Sequence, residues 1–393
     1  MRTLICLLSD QLVPNLLSCK ILNPERILLV ETEQMKKKEA SRNFLRALGG
    51  MGISIAREIV EVPEGKDNDF PSLKTFFREK LLVPNIGDTF FLNITGGTKP
   101  MSIALYETFR DVSKADFFYF DVNRPNEIID FLTNRRIPVG HGISMEAFLA
   151  GYGFEFAKDM QKVCCAESFA AKRKKTTRII ARHCDHPDFR IWDSGNKEAL
   201  AWRQKMMNFC KKEIEIPPEY LKPTIPEVRE AIAKQFRLQD DPNGCLVGTL
   251  SSWDIRYLDG GWLEEFIWGT LKKYSEKYGL NDLHLGIEVK PFDNNTRNEL
   301  DVSFMRNNML YVMECKTGFQ EKMQENAYKI FAVTQQLKAL RTKAYLIANS
   351  ASLEKVRERA KLHQTTLIDA DQIAQMAKDP EAVLNKLFQV SQK

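Results

Sequence analysis

The fold is decided by one stretch of the sequence, Asn298-Glu-Leu-Asp-Val-Ser-Phe-Met-Arg-Asn-Asn-Met-Leu-Tyr-Val-Met-Glu-Cys-Lys316. Asn307 and Asn308 at its centre tolerate a positive φ, and they predict a two-residue turn between two antiparallel strands. Pairing outward from this turn leaves one face apolar throughout, which predicts a half-buried β-hairpin. The residues of that face are Leu300, Val302, Phe304, Tyr311, Met313 and Cys315.

The opposite face of the predicted hairpin brings two carboxylates together. Asp301 falls opposite Glu314, and Lys316 lies two residues beyond Glu314. Side chains that face each other directly have Cβ atoms about 5 Å apart, so two like charges there repel each other. A divalent cation removes this conflict, because hard cations bind carboxylate oxygens. These three residues therefore predict a metal site of the kind that cleaves phosphodiester bonds.

A helix with an acidic first turn is predicted before the hairpin. It begins at Gly260-Gly-Trp-Leu-Glu-Glu-Phe-Ile-Trp268, and either Glu264 or Glu265 could supply a third carboxylate. A strand at Leu283–Lys290 follows, with alternate apolar residues. The apolar residues that follow the helical period are Leu263, Phe266, Ile267, Leu271, Tyr274 and Tyr278.

Length and composition indicate a globular protein with more than one domain. The chain has 393 residues, of which 44% are hydrophobic and 28% charged, and a formal net charge of +5. Two or three domains are expected for this length, and the mild positive charge permits a polyanionic partner without establishing one. The sequence contains no run of about 18 apolar residues, so no membrane span is expected. The cysteines follow no framework pattern, which favours the reducing cytoplasm.

The N-terminal third alternates between apolar runs and amphipathic stretches. The early runs are continuously apolar, as expected for strands that are covered by helices on both faces. This predicts a doubly wound, Rossmann-like α/β sheet whose last two strands form an antiparallel edge. The predicted strands are Thr3–Leu8, Arg26–Glu31, Ile55–Val62, Asp88–Ile94, Asp116–Val122 and Glu127–Leu132, and the predicted helices are Gln34–Leu48, Phe70–Leu82 and Met101–Val112.

Two loops are expected at the carboxyl ends of the strands, where sheets of this kind bind ligands. Ser9-Asp-Gln-Leu-Val-Pro-Asn15 follows the first strand, and Asn93-Ile-Thr-Gly-Gly-Thr-Lys-Pro-Met-Ser102 follows the fourth. Gly96 and Gly97 let the backbone approach a ligand, and the next helix N-terminus with Lys99 favours an anion such as a phosphate. The sequence lacks a Walker A loop, and no Gly-x-Gly-x-x-Gly follows the first strand, so NTP hydrolysis and dinucleotide redox chemistry are not favoured.

Both ends of the chain resemble known families. The order of a Glu-bearing helix, a strand, Asp301 and Glu314-Cys-Lys316 resembles the PD-(D/E)xK, or restriction-endonuclease-like, nuclease fold over about residues 246–350. The pattern Asn-x-Thr-Gly-Gly-Thr-Lys-x-Met after a Rossmann-like strand resembles the CARF (CRISPR-associated Rossmann fold) sensor domains. A CARF domain followed by such a nuclease is similar to the ancillary nucleases of type III CRISPR systems.

This resemblance implies a homodimer that binds a cyclic oligoadenylate across its two-fold axis and thereby switches on its nuclease. An even-numbered ring suits two equivalent loop pairs, and cyclic tetra-adenylate is favoured over cyclic hexa-adenylate. The first acid of the family follows Trp-Leu, which selects Glu264. The resemblance further implies that Glu264, Asp301 and Glu314 hold Mn²⁺ or Mg²⁺ and that Lys316 is catalytic. The residues implied to contact the activator are Ser9, Asp10, Gln11, Asn93, Thr95, Gly96, Gly97, Thr98, Lys99 and Met101.

The domains are expected at residues 1–136, 137–245 and 246–393. The middle one matches no motif, and it is expected to be mainly helical, with prolines that indicate a bend or linker. Its basic run Lys172–Lys175 is either a phosphate-tracking patch that leads the substrate to the nuclease or a solvated helix face. The remaining predicted elements are helices at Lys197–Lys212, Pro226–Arg237, Gln320–Leu340 and Leu353–His363, strands at Ala344–Ala348 and Thr366–Ile368, and a last helix.

The favoured function is an activator-dependent, metal-dependent nuclease that cuts DNA, RNA or both. One alternative is a CARF-type regulator whose C-terminal half only docks nucleic acid. Such a regulator needs no paired carboxylates near a phosphate, and metal-dependent cleavage separates it from a nuclease. A second alternative is a DNA-repair or restriction nuclease with a different N-terminal ligand. The Asn-x-Thr-Gly-Gly-Thr-Lys loop disfavours it, and an assay of cyclic-oligoadenylate binding separates the two.

Overall fold

The structure of the protein is a computed structural model, and it extends from the first residue to near the end of the chain. Two parts of it are described below: an N-terminal sheet with its helices, and a C-terminal sheet with its helices. The described residues are 1–121, 124–140, 142–157, 159–193, 195–209, 211–317, 342–349, 354–362 and 365–389.

Seven strands form the N-terminal sheet: β1 (Arg2–Leu7), β2 (Arg26–Glu31), β3 (Ala56–Glu61), β4 (Thr89–Asn93), β5 (Ala115–Tyr119), β6 (Glu127–Asp130) and β7 (Arg136–Pro138). Their order is β3-β2-β1-β4-β5-β6-β7. The first five strands pair in parallel, and β6 pairs antiparallel with both β5 and β7. All six predicted strands are therefore present. The expected edge position of the sixth strand is wrong, because β7 occupies the edge.

The helices of this part are α1 (Val13–Leu22), α2 (Glu33–Lys37), α3 (Ala40–Gly50), α4 (Phe70–Phe77) and α5 (Lys99–Phe109). The single helix predicted over Gln34–Leu48 is two helices, because Glu39 has a φ of 53° and interrupts it. Helix α1 was not predicted, although Pro14 in its first turn is a usual start signal.

The N-terminal sheet is covered on both faces, as the doubly wound prediction requires. Leu4 and Cys6 lie in a core with α1 and α3. Ile5 and Leu7, which alternate with them, lie in a second core with α4 and α5. The alternation follows from the two-residue period of a strand.

The middle of the chain is tied to the C-terminal sheet. Helix α7 packs against the helix that carries Glu264, and β8 forms the edge of the C-terminal sheet. The predicted helices at Lys197–Lys212 and Pro226–Arg237 are present as α8 and α9. The elements of this segment are α6 (Met145–Gly151), β8 (Phe154–Phe156), α7 (Met160–Arg182), α8 (Lys197–Met207), β9 (Ile214–Glu215), α9 (Pro226–Phe236), β10 (Gln239–Asp240), β11 (Leu246–Val247), β12 (Thr249–Leu250) and α10 (Ser252–Arg256).

The C-terminal part contains α11 (Trp262–Lys273), α12 (Ser275–Tyr278), β13 (Asn281–Pro291), β14 (Asn298–Arg306), β15 (Met309–Thr317), β16 (Lys343–Asn349), α13 (Glu354–Leu362), β17 (Thr366–Ile368), α14 (Ala370–Lys378) and α15 (Pro380–Leu387). The strand order is β17-β16-β15-β14-β13-β8. The predicted strands after the hairpin are confirmed as β16 and β17. The predicted last helix is two helices, and the helix predicted at Gln320–Leu340 lies outside the described residues.

The predicted hairpin is present as β14 and β15. Asn307 and Asn308 have φ values of 53° and 56°, as a tight hairpin turn requires. Val302 pairs with Met313, and the pairs continue in the predicted register to the turn. The half-buried prediction is wrong, because the second face is covered as well. Ser303, Met305, Leu310 and Val312 on that face are buried.

The second face of the hairpin packs against the N-terminal part of the protein. Met305, Leu310 and Val312 belong to the same apolar core as α1, α3 and α6. The first face forms the core of the C-terminal part with α7, α11 and α14. The hairpin thus lies between the two halves of the molecule. None of the described helices is long and apolar enough to span a membrane.

Candidate active site and ligand-binding loops

Asp301, Glu314 and Lys316 meet at the open end of the hairpin, far from its turn. The Lys316 ammonium lies 2.6 Å from Glu314 Oε1 and 3.4 Å from Asp301 Oδ2. The two carboxyl residues are only 7% and 8% exposed. The Cys315 amide donates a hydrogen bond of 2.7 Å to Asp301 Oδ2, which fixes that carboxylate. The predicted juxtaposition of the three residues is therefore present.

The two glutamates at the start of α11 have different surroundings. The charges of Asp301, Glu314 and Lys316 act on Glu264. Glu265 instead accepts a hydrogen bond of 2.9 Å from Arg173 of α7. Glu264 thus lies near the carboxylates of the hairpin. Glu265 instead binds Arg173 and so helps to hold α7 against α11. We refer to Glu264, Asp301, Glu314 and Lys316 as the acid cluster.

Burial makes two carboxyl groups of the acid cluster, those of Glu264 and Asp301, hard to ionise. Burial, followed by the charge of Asp301, raises the pKa of Glu264 well above its usual range. Burial and the charge of Glu314 raise the pKa of Asp301 to about 6. Burial lowers the pKa of Lys316, but the charges of Asp301 and Glu314 outweigh this effect and raise it overall. One ammonium thus does not offset all three carboxylates.

The donor set of the acid cluster fits a hard divalent cation. Carboxylate oxygens are the ligands that Mg²⁺ and Mn²⁺ prefer, and a cation would supply the positive charge that three buried carboxylates lack. Within the described part of the chain, no three His, Cys, Asp or Glu side chains already converge closely enough to hold a metal ion. The Lys316 ammonium is paired with Oε1 of Glu314, so a cation bound to this oxygen would compete with the ammonium.

Sequence reasoning missed the turn that delivers Glu264 to the cluster. A π-helical turn at Tyr257–Gly261 joins α10 to α11, with a φ of 143° at Gly260. A Cβ at this position would overlap Thr317 Oγ1 on the hairpin. Glycine therefore allows α11 to approach β15 closely. The Gly260-Gly261 pair was a visible signal, but its partner Thr317 was not.

A further acid was also missed. The charge of Glu299 contributes to the raised pKa of Glu264, after burial and Asp301. Glu299 pairs across the sheet with Glu288 on β13, so two like charges are opposed there. The signal was present in the sequence, since Glu299 precedes Asp301 by two residues on the same strand.

The two predicted ligand loops lie side by side in the N-terminal part. They follow β1 and β4, which are neighbours in the sheet. The strand order reverses between these two strands, and ligands of doubly wound sheets bind at such a switch point. Ser9 and Gly96 are in contact range, because a Cβ on Gly96 would lie 3.5 Å from Ser9 Oγ.

Both glycines of the second loop are required by its path. A Cβ on Gly96 would overlap the carbonyl oxygen of Leu7, at the end of β1. Gly97 has a φ of 74°, a conformation that favours glycine. Thr98 then caps α5 by accepting a hydrogen bond from the Met101 amide. The loop therefore ends at a helix N-terminus, as predicted for an anion site.

The predicted activator residues fall into three groups. Ser9, Asp10, Gln11 and Lys99 lie at the surface of the two loops, and Lys99 forms no ion pair within the described residues. Thr95, Gly96, Gly97 and Thr98 form the backbone between them.

Asn93 and Met101 instead point inward. Asn93 is 1% exposed, and its amide donates to Asn15 and Ser18 at 2.8 and 3.1 Å. Met101 is fully buried in the core beneath α5. Their side chains shape the loop from below instead of reaching its surface.

The basic run of α7 is split by the helical period. Arg173 is buried and binds Asp254 at 2.6 Å as well as Glu265. Lys172, Lys174 and Lys175 are exposed. One cation of the run thus belongs to the core, and the three lysines lie on the solvated face.

Two family models match this chain. Residues 3–148 match the Card1 CARF domain, and residues 252–386 match the Card1-like endonuclease domain. The first range contains both ligand loops, and the second contains the whole acid cluster. A comparison with curated proteins found no match.

Solved structures share the fold over nearly the full chain. Can2 from Sulfobacillus thermosulfidooxidans, in complex with cyclic tetra-adenylate, is 22% identical with a TM-score of 0.71, and 99% of each chain is covered. The protein VC1899 from Vibrio cholerae is 18% identical with a TM-score of 0.77, and 99% of this chain and 98% of that chain are covered. These two structures thus share with this chain the arrangement of the N-terminal and C-terminal parts, as well as the fold of each part.

Proposed function

The chain joins a CARF domain of the Card1 type to a Card1-like endonuclease domain, and from this premise we propose that it is a cyclic-oligoadenylate-activated, metal-dependent nuclease of type III CRISPR defence. The observation that carries this proposal is the acid cluster, with its buried carboxylates around one lysine. A domain that only docked nucleic acid would gain nothing from burying negative charge beside a phosphate.

Glu264, Asp301 and Glu314 would hold the divalent cation, Mg²⁺ or Mn²⁺. When bound, the metal supplies Lewis-acid activation of the phosphate and of the attacking water. The side chain of Lys316 must first leave its ion pair with Glu314. Its ammonium can then stabilise the negative charge that develops on the phosphate. Holding the cation and stabilising the charge on the phosphate thus both use side chains of the acid cluster.

The activator would bind over the loops after β1 and β4. Lys99 and the N-terminus of α5 offer positive potential for a phosphate, and Gly96 and Gly97 allow close approach of the backbone. The relative Can2 was solved with cyclic tetra-adenylate, which supports this ring as the activator of this chain over cyclic hexa-adenylate. Asn93 and Met101 would act by supporting the loop from within.

The hairpin turn would carry the signal from the activator to the acid cluster. Asn308 donates a hydrogen bond of 2.8 Å to Pro125 O and accepts one of 3.0 Å from the Ile143 amide. Asn126 donates to Asn307 at 2.9 Å. Pro125 and Asn126 directly precede β6, which pairs with β5. The Phe120 amide, at the end of β5, donates a hydrogen bond to Thr95 Oγ1 in the second ligand loop. A shift of the second ligand loop can therefore reach the hairpin turn through a few hydrogen bonds.

A homodimer would complete the activator site. Exposed apolar side chains surround α5, the helix that begins at Lys99. They are Ile103 on this helix and Phe131 and Leu132 in the turn after β6. The ring of Phe131 lies 5.9 Å from that of Tyr106, one helical turn beyond Ile103. This apolar surface along α5 suits a two-fold contact.

The test is activator-dependent cleavage. The full-length protein is incubated with Mn²⁺, with cyclic tetra- or hexa-adenylate, and with single- and double-stranded DNA and RNA. Cutting is expected only with metal and activator together, and Asp301→Ala and Glu314→Ala are expected to abolish it. Activator binding without cutting would favour a regulator, and cutting without any response to cyclic oligoadenylates would favour a restriction or repair nuclease.

A further inference from the structure

Two arginines of the middle segment hold the π-helical turn that precedes α11. Arg203 on α8 binds the carboxylate of Asp259 in this turn at 2.6 Å. Arg173 on α7 lies over the ring of Tyr257, with 4.7 Å between the guanidinium carbon and the ring centroid. Both arginines lie between the residue ranges that match the two family models. The turn is thus supported by a part of the chain to which no function has been given so far.

Arg173 connects the two sides of the turn. It binds Asp254 on α10, before the turn, at 2.6 Å, and Glu265 on α11, after the turn, at 2.9 Å. The Arg173 side chain is buried, so both ion pairs are shielded from water. A single side chain therefore restrains the spacing of α10 and α11, and Arg203 acts on the residues between them.

Asp259 contacts the hairpin as well as Arg203. Thr317 Oγ1 donates a hydrogen bond of 3.5 Å to the Asp259 carbonyl oxygen, and Thr317 directly follows Lys316. Glu264 lies five residues after Asp259, in the first turn of α11. A side chain that holds Asp259 therefore fixes a point between two members of the acid cluster.

The Arg203 side chain is itself held in place. Its guanidinium carbon lies 5.2 Å from the ring centroid of Trp192. The Trp192 side chain is buried, and its ring packs 6.3 Å from that of Trp202. Arg203 thus joins Asp259 to a packed aromatic group of the middle segment.

Stability does not explain the ion pair between Arg203 and Asp259. Burial raises the pKa of Asp259 more than the charge of Arg203 lowers it. Burial likewise lowers the pKa of Arg203 more than the charge of Asp259 raises it. Removing water from the two charges thus costs more than their attraction returns, and apolar side chains often replace such pairs without loss of stability. What the pair supplies is a fixed position for the turn.

We propose that Arg203 is a positioning residue of the nuclease, which acts through Asp259 to place Glu264 and Lys316 relative to the other members of the acid cluster. Loss of Arg203 would leave all four side chains of the cluster present but displaced, and a displacement of ~1 Å can lower a rate about 100-fold. This inference rests on the proposed nuclease function, and it gives the middle segment a part in the nuclease site.

The test compares Arg203→Met, and the double variant Arg203→Met with Asp259→Leu, in the full-length protein. Both are expected to lower the kcat of activator-dependent cleavage about 10-fold to 100-fold, with little change in the KM for an oligonucleotide. The rise in melting temperature caused by Mn²⁺, measured without activator or nucleic acid, should need about 10-fold more Mn²⁺.

Two further results separate positioning from folding. The double variant should melt no lower than the parent, because it leaves no unpaired buried charge. Arg203→Lys should keep most of the kcat, since the ion pair is made through one nitrogen of the guanidinium. The matched control is Arg26→Met, which removes a similarly buried ion pair with Asp88 at the start of β2, and it should cleave and respond to Mn²⁺ as the parent does.

Parent-like kcat and Mn²⁺ response in Arg203→Met and in the double variant would overturn the proposal. So would a loss confined to the KM, because Arg203 would then contact the oligonucleotide, or an equal loss in Arg26→Met, because the loss would then reflect stability alone. Failure of the proposed function has a different signature: the parent itself would neither cut with Mn²⁺ and activator nor gain melting temperature with Mn²⁺.

Discussion

Asp301 shares the ammonium of Lys316 with Glu314, and burial together with the charge of Glu314 raises the pKa of Asp301 to about 6. An aspartate whose pKa is raised by folding destabilises the folded state wherever it is ionised. This destabilisation is absent below the pKa of the unfolded chain, grows as the pH rises towards 6, and is complete above it. The acid cluster therefore stores unfavourable free energy at neutral pH that a bound cation would release.

Asp301→Asn is expected to stabilise the metal-free protein at pH 7.5, by ~1–3 kcal/mol or a few degrees in melting temperature. The gain should vanish at pH ~2, well below the pKa of ~3.9 of an unfolded aspartate, where the aspartate is protonated in both states. Mn²⁺ should raise the melting temperature of the parent but not of the variant. Melting curves at both pH values, with and without Mn²⁺, check this. A variant that is less stable than the parent at pH 7.5 contradicts the stored-energy account.

Lys316→Ala is expected to lower turnover by ~10²–10³-fold, because the ammonium stabilises developing charge. Since the same ammonium occupies the oxygen of Glu314, the variant should bind Mn²⁺ at least as tightly as the parent. Single-turnover cleavage and a Mn²⁺ titration by melting temperature measure the two effects separately. Loss of Mn²⁺ binding would mean that Lys316 organises the metal site and does not act on the phosphate.

Lys99→Ala is expected to weaken cyclic tetra-adenylate binding about 10-fold or more, because a charge-assisted hydrogen bond to a phosphate is lost. The melting temperature should stay unchanged, since the side chain is exposed. Calorimetric titration measures the affinity. The control is Lys114→Ala, because Lys114 is a surface lysine away from both loops. Equal affinities of the two variants for cyclic tetra-adenylate would show that Lys99 does not bind a phosphate.

At the scale of elements, the hairpin β14–β15 links two functions. Its turn is bonded to the N-terminal part through Asn308, and its open end carries the acid cluster. The two ends are about 20 Å apart at 3.3 Å of rise per residue. Both of its faces are buried in packed cores, so a bend between its ends would disturb the packing of both cores.

Asn308→Gly is expected to uncouple activator binding from cleavage. Glycine keeps the positive φ of the turn but removes the bonds to Pro125 and Ile143, at a cost of ~1–3 kcal/mol in stability. The affinity for cyclic tetra-adenylate should be kept, while the activator-dependent increase in cleavage falls. Asn307→Gly, which loses only one exposed bond, is the matched control. If Asn308→Gly is activated as strongly as the parent, a different contact couples activator binding to cleavage.

At the scale of the whole molecule, activation requires two arrangements that differ in affinity for the ring. The apolar core shared between the two halves means that a rotation of the N-terminal part acts directly on the hairpin. The middle segment is not the only connection, because the two halves are in contact without it.

The protein is expected to be a dimer before activator is added, and its shape should change on binding while its mass does not. Small-angle scattering and sedimentation with and without cyclic tetra-adenylate measure both. A monomer that dimerises on binding would indicate activation by assembly. Leu132→Asp, in the exposed apolar surface beside α5, is expected to weaken the dimer, whereas Leu362→Asp on the other half is the control.

Local patterns in the sequence were sufficient to predict the hairpin, its turn and the juxtaposition of Asp301, Glu314 and Lys316. These depend on strand periodicity and on the positive φ that asparagine tolerates, both of which are properties of neighbouring residues. The six predicted strands of the N-terminal sheet and the glycine-rich loop were predictable for the same reason. Helix α1 and the break at Glu39 were missed because their signals are weaker than the apolar periodicity around them.

Only the packing of distant elements decided the rest. The family resemblance had selected Glu264 over Glu265, but the physical reason lies in Arg173, which is distant in the chain and binds Glu265. The inward turn of Asn93 depends on Asn15 and Ser18 of a helix that was not predicted. The burial of both hairpin faces depends on where the N-terminal part docks. Each of these is a long-range contact, and the periodicity of one segment carries no information about which segment will cover it.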